Sequence, residues 1–244
     1  MLNLILTQIQ RILDQNFLGL YLRGSLALGD FISETSDIDL LAVTEQRVDE
    51  ATFARLAEMH KQLDQLPHPF AKRIEIAYID AASLRRYQPG QRHPTLGQSE
   101  KLAWREHQSN WIVERWAVRE HGIRLFGPDP KTLIDPVSTE QWVEAVRSRL
   151  QDWVDWANQS DDPDWQLPRS HKAYAVETIC RILCTLTTQQ LPSKRQAVAW
   201  AKQTLPDPWR SIIVRAEAWR NDPTVDANFA EEVRRFILRA PALA

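Results

Sequence analysis

The chain has 244 residues, 43 % of them apolar and 25 % charged, with a formal net charge of −2. That length allows one large or two ordinary domains, and the charge balance excludes a global pull toward nucleic acid or an anionic membrane. Its two cysteines, Cys180 and Cys184, fit neither a zinc pattern nor a disulfide framework and read as buried thiols of a reducing compartment.

The opening "MLNLILTQIQRILDQNF" lacks the basic start and continuous apolar stretch of a secretion signal. Leu2, Ile5, Ile9, Ile12 and Leu13 recur at helical spacing and predict an amphipathic helix. No run approaches the ~18 apolar residues that cross a bilayer, so the expectation is a cytoplasmic protein without a membrane partner. "LGLYLRG" (Leu18–Gly24) and "IDLLAV" (Ile38–Val43) read as strands. Asp49–Leu66 carries a helical pattern with Asp49 as N-cap, closed by Pro67 and Pro69. In "RIEIAYID" (Arg73–Asp80), Ile74, Ile76 and Tyr78 alternate with Arg73, Glu75 and Ala77, the pattern of a third strand. Arg85–Gln98 reads as loop from its prolines and glycines, and a helix is expected from Glu100 to His121. "LFGPDPKTLIDPV" then breaks the pattern.

Beyond Val137 the strand signal is gone. Helices are expected over Ser138–Asn158, Lys172–Gln189, Ser193–Leu205, Pro208–Asn221 and Asp226–Arg239, with short turns as in an antiparallel bundle. The expected fold is α+β: a domain with a small mixed sheet and helices over residues 1–136, and an α-helical bundle over 137–244.

The run "RGSLALGDFISETSDIDLLAV" places Asp37 and Asp39 at the entry of the second strand. Alternation predicts both carboxylates on one face, a costly arrangement unless a cation lies between them, and a divalent metal is the expected one. If the third strand lies beside the second, Glu75 joins them, and three carboxylates could hold one or two Mg2+ ions for phosphoryl transfer. Upstream, Gly24 lets backbone approach a phosphate closely and Ser25 adds a hydroxyl donor.

The stretch "LRGSLALGDFISETSDIDLLAV" resembles the signature of the nucleotidyltransferase superfamily with the DNA polymerase beta-like fold. "REHGIRLFGPDPKTLIDPV" and "AVETICRILCTLTTQQLPSKRQAVAWAKQTLP" resemble one branch, the aminoglycoside 3''/9-type adenylyltransferases, whose C-terminal domain is helical. The resemblance spans nearly the whole chain. It implies Mg2+-dependent transfer of AMP from ATP to a hydroxyl of a small acceptor, a possible antibiotic-resistance role, and a monomer with no nucleic-acid partner. Ser25, Asp37 and Asp39 match phosphate- and metal-binding residues, and Glu75 matches the proposed general base and joins the metal set. Gly24 and Ser36 are counted with Ser25 as nucleotide-binding, and Arg181 and Lys194 match basic residues that contact the ATP phosphates across an interdomain cleft. Alternative readings are transfer to a protein or other macromolecule, and an antitoxin-like nucleotide-binding module without turnover.

One departure concerns the acceptor. Where the family carries an acidic residue before the Arg181 helix, "LPRSHKAY" offers Arg169, His171 and Lys172, which predicts repulsion of streptomycin-like cations. Asp161, Asp162 and Asp164 lie nearby and could compensate. Most of the ten tryptophans read as core, with Trp111 and Trp165 as candidates for stacking on adenine or a sugar. Arg115 and His121, spaced like the Arg–His pair of small helical ribonucleases, read as structural.

Overall fold

The apolar spacing of Ile5, Ile9 and Leu13 buries one stripe of helix α1 (Leu2–Leu13) and leaves its other side polar. The structure, a computed structural model, describes residues 1–97 and 100–244 and divides into two compact units, Met1–Ser138 and Thr139–Ala244. No helix among the described residues is long and apolar enough to cross a membrane.

In the first unit the chain continues through β1 (Phe17–Leu22), α2 (Gly24–Ala27), β2 (Ile38–Thr44), α3 (Glu50–Asp64), β3 (Ile74–Asp80) and α4 (Ala81–Arg85). It ends with β4 (Arg92–Leu96), β5 (Ala103–Glu106), α5 (Asn110–His121), β6 (Ile123–Phe126) and α6 (Pro130–Leu133). The six strands among the described residues form one mixed sheet in the order β5-β4-β3-β2-β1-β6; β2 and β3 are parallel and the other pairs antiparallel. Both faces are covered. Leu20, Leu40, Ala42, Ile76 and Tyr78 meet Ile5 and Ile9 of α1 and Leu56 of α3 on one side. Tyr21, Leu41, Val43, Ala77 and Ile79 meet Leu84, Trp111, Val118 and Leu133 on the other. This double burial is why β2 reads as a continuous apolar run. Asp49 caps α3, accepting from the Thr52 N–H at 2.7 Å, as its position before the helical pattern predicts.

Three strands depart from the sequence reading. Arg92–Leu96 is β4 where loop is expected; the last residue of that expected loop, Gln98, lies outside the described residues. Pro94 is accommodated because β4 pairs with β3 only at Thr95 and Leu96, so the missing N–H costs no ladder bond there. Ala103–Glu106 is β5, not the start of a helix: its helix-favouring residues are overridden by pairing with Arg92–Thr95 of β4, and the helix begins at Asn110. Ile123–Phe126 forms the short edge strand β6.

The second unit holds α7 (Thr139–Asn158), α8 (Arg169–Thr188), α9 (Lys194–Thr204), α10 (Trp209–Ala218) and α11 (Ala227–Arg239). Helix α8 is central, packed by α7, α9, α10 and α11 and burying Ala173, Val176, Ile179, Cys180 and Leu183. Ser193 and Gln196 close a reciprocal capping box that starts α9.

Burial lowers three imidazoles of the first unit, His60 and His93 to about 4 and His107 to about 2. Each is neutral when folded and takes a proton on unfolding below about pH 6.5. Their contribution is complete above that value and is lost as pH falls toward about 4. Denaturant titrations at pH 7, 6 and 5 should show the first unit weakening by at most about 1.4 kcal/mol per pH unit per histidine. A midpoint flat from pH 7 to pH 5 would show that the three rings are accessible to protons in the folded state.

Candidate active site

At the end of β1 the Arg23 N–H donates to the Asp39 carbonyl at 2.9 Å. The chain then turns at Gly24, whose φ of 61° is left-handed. A Cβ built there would run into the Asp39 carboxylate. Glycine is therefore needed twice, for the turn and for the approach of Asp39 to the backbone. The "GS" and "DID" segments, fifteen residues apart in sequence reading, are thus one packed unit. Ser25 follows in the four-residue α2, and its carbonyl accepts from the Asp30 N–H at 2.9 Å.

Asp39 and Glu75 are direct register partners on the parallel pair β2 and β3. Side-chain alternation puts both on the sheet face that α5 covers, beside Leu41 and Ala77. Asp37 lies one residue ahead of β2, and its carboxylate is 3.8 Å from the Arg73 guanidinium. Arg73 also donates to the Ser33 carbonyl at 2.9 Å and to the Ser36 carbonyl, tying the preceding loop to the foot of β3. The Ser36 hydroxyl accepts from the Ile32 N–H at 2.9 Å. Ser36, expected at the nucleotide, is placed here as a lock on the loop that carries Asp37.

Sequence reasoning missed Arg23. Its side chain is 12 % exposed, donates to Glu114 on α5 at 2.9 Å and lies 3.9 Å from the Asp39 carboxylate. The guanidinium sits 5.5 Å from the centre of the Trp111 indole. Burial disfavours its charge, but Glu114, Asp39 and Glu75 outweigh that and raise its pKa. The only signal was an arginine directly before Gly-Ser. Arginines therefore stand next to both aspartates, so the repulsion between the carboxylates does not by itself demand a metal. Among the described residues no three or more His, Cys, Asp or Glu side chains gather closely enough to hold a metal alone. Asp37, Asp39 and Glu75 offer only hard carboxylate oxygens, a set that fits Mg2+ completed by water and phosphate.

In the second unit Arg181 on α8 donates through Nε to the Pro192 carbonyl at 3.0 Å. Lys194, the first residue of α9, lies 4.6 Å from the ring centre of Tyr174. Tyr174 is 50 % exposed and shares a helix face with Arg181, seven residues on. The two cations predicted for phosphate thus border one corner of the helical unit.

Other candidates resolve into packing. Trp111 is buried and stacks on His107 with ring centres 3.6 Å apart. Trp165 is buried against Trp156 at 4.0 Å, and its indole N–H donates to Gln159. Neither ring is free to stack on a ligand. Arg115 is buried, donating to the carbonyls of Ser83, Leu84 and Trp111; burial lowers its pKa to about 10. The repulsive reading of "LPRSHKAY" also fails in its premise. Arg169 is paired with Asp222 at 3.1 Å and Asp226 at 2.7 Å and stacks over Trp219. Lys172 is 1 % exposed and donates to the Asp164 carbonyl at 2.6 Å. Arg169 is thus ion-paired and Lys172 is buried within the helical unit, so neither stands as a free surface cation.

Residues 6–86 match the family model of the nucleotidyltransferase domain, and residues 132–240 match that of the aminoglycoside adenylyltransferase C-terminal domain. An aminoglycoside (3'') (9) adenylyltransferase of Klebsiella pneumoniae is 27 % identical over 94 % of this chain and 88 % of its own length. One from Escherichia coli is 28 % identical over 85 % and 79 %. A spectinomycin 9-adenylyltransferase of Campylobacter jejuni is 23 % identical over 88 % and 82 %. In fold, the chain is similar to the crystal structure of a spectinomycin adenyltransferase from Enterococcus faecialis with ATP and spectinomycin, at a TM-score of 0.77, 15 % identity and coverage of 98 % and 97 %. With a nucleotidyltransferase domain, this branch's helical domain and relatives along most of its length, the chain belongs to the aminoglycoside adenylyltransferase family and is an adenylyltransferase.

Proposed function

We propose that this enzyme transfers AMP from ATP to a hydroxyl of a small acceptor, an aminoglycoside or a spectinomycin-like aminocyclitol, in the cytoplasm and with Mg2+ as cofactor. The observation that carries the reading is the register of Asp39 against Glu75, with the Gly24 turn pressed onto Asp39. The acceptor class rests on the relatives' names, since of the cations that argued against it Arg169 is ion-paired and Lys172 is buried within the fold.

In this reading Gly24 admits phosphate close to the backbone and Ser25 supplies a hydroxyl donor. Asp37 and Asp39, with Glu75 beside them, would hold Mg2+, which when bound draws negative charge from the phosphate oxygens. Arg181 and Lys194 would serve the triphosphate. Glu75 accepts the proton of the acceptor hydroxyl as its oxygen attacks the α-phosphorus. The bond from that phosphorus to the bridging oxygen breaks, and pyrophosphate leaves with the electron pair. Such chemistry depends on positioning and charge stabilisation more than on covalent help.

Protein, Mg2+ and ATP incubated with streptomycin, spectinomycin and other hydroxyl compounds should yield an acceptor heavier by one AMP unit, together with pyrophosphate. No adduct with any small acceptor, while a protein substrate becomes adenylylated, would move the reading to macromolecular transfer.

The variants separate the roles. Glu75→Gln should keep ATP binding and lose about 10²–10⁴-fold in transfer, the usual contribution of a general base. Loss of ATP binding as well would make Glu75 chiefly a metal ligand.

Arg181→Ala and Lys194→Ala should each weaken ATP binding in calorimetry without changing the folded helical content. Unchanged affinity in both would remove them from the nucleotide site.

Gly24→Ala should lose at least about 1 kcal/mol of stability from the left-handed turn alone. Transfer should fall further, because the added carbon displaces Asp39. Wild-type turnover in that variant would show that Asp39 acts from another position.

A further inference from the structure

The carboxylate site contains a cation of its own. Arg23 is pinned from three sides: Glu114 takes its Nη1 at 2.9 Å, the Leu40 carbonyl lies 3.5 Å from its Nε, and the Trp111 indole lies beneath its guanidinium at 5.5 Å. Trp111 is in turn fixed by its stack on buried His107. An arginine held this way cannot swing out to solvent, and it never loses its charge at working pH. Its Nη2 stays 3.9 Å from Asp39, the carboxylate against which Gly24 closes.

We propose that Arg23 is a positioning residue for the transfer reaction: it holds Asp39 in place and keeps the carboxylates from collecting a bare divalent cation, so that the metal enters together with the nucleotide. This rests on the reading of Asp37, Asp39 and Glu75 as the metal-holding set. Like charges a few ångströms apart repel, and a dication feels that repulsion twice over. A dication approaching Asp39 meets this repulsion alone. A dication carried on a triphosphate brings the negative charge that offsets it. Metal and nucleotide affinities are then coupled, each raising the other by the same factor.

The test uses Mn2+ as probe on the full chain, its affinity measured by electron paramagnetic resonance or calorimetry with and without ATP, in the absence of acceptor. Wild-type protein should bind Mn2+ weakly alone and much more tightly with ATP. Arg23→Met should bind Mn2+ alone at least tenfold more tightly and show a smaller gain from ATP. Arg23→Lys should stay near wild type. Glu114→Gln should shift the other way, to weaker Mn2+ binding, because Arg23 then loses the partner that offsets it. A residue with a merely packing role would not move the affinity in opposite directions in these two variants. Folding is checked by circular dichroism, and if Arg23→Met does not fold, Glu114→Gln carries the test. Mn2+ affinity unchanged in the folded variants, or tight Mn2+ binding by wild type without ATP, overturns the role of Arg23 and leaves the proposed reaction standing. Wild-type protein that binds Mn2+ neither alone nor with ATP overturns the metal-holding set and this role together.

Discussion

Parallel pairing of β2 with β3 sets Asp39 beside Glu75, and the repulsion between those neighbouring carboxylates is the constraint to which the surrounding residues respond. Two anions on adjacent strands, on a face otherwise filled by Leu41, Ala77 and Trp111, are tolerable only with positive charge close by. Arg23 supplies it beside Asp39, and Arg73 does the same for Asp37 at the other end of the connection from Gly24. Arg73 does so while tying down the loop through Ser33 and Ser36, and Arg23 while anchoring α5 through Glu114. The same two arginines therefore neutralise the site and fix the backbone that carries it.

That arrangement explains why α5 matters to a site built on the ends of β1, β2 and β3. Its residues Trp111 and Glu114 determine where the guanidinium of Arg23 can be. A helix that covers a sheet usually answers for burial alone. Here its polar and aromatic positions also set the charge distribution at the edge of the sheet.

The sequence made much of this legible, and the reasons for its silence elsewhere are physical. Strands β1, β2 and β3 and the helices of the second unit announced themselves by period and caps, because burial on a sheet face or helix stripe is written in residue spacing. Strands β4, β5 and β6 did not: β4 carries a proline, β5 is made of helix formers, and the four residues of β6 are too few for a period to show. Asp37, Asp39, Glu75, Gly24 and Ser25 were legible because they lie in or beside recognisable elements. Arg23 was not, since its role depends on Glu114, ninety-one residues away. Charge on "LPRSHKAY" was visible but its consumption was not, because Asp222 and Asp226 reach Arg169 from far along the chain.

Two histidines of the first unit, His93 and His107, belong to the same electrostatic problem. Around the Trp111 indole stand Arg23 at 5.5 Å, Arg115 at 6.0 Å and the stacked ring of His107. Two guanidinium ions already occupy the neighbourhood that best accommodates a cation next to an aromatic face. A charged His107 would be a third cation there, buried and within electrostatic reach of both arginines. Its pKa is driven down to about 2 first by burial and then by His93, Arg115 and Arg23. The neutral imidazole stacks on this indole while Arg23 stays charged and buried. The low pKa of His107 and the fixed cation beside Asp39 are therefore linked by packing: an arginine placed under the candidate carboxylates has an uncharged layer behind it, and His107 and His93 provide that layer only while they hold no proton.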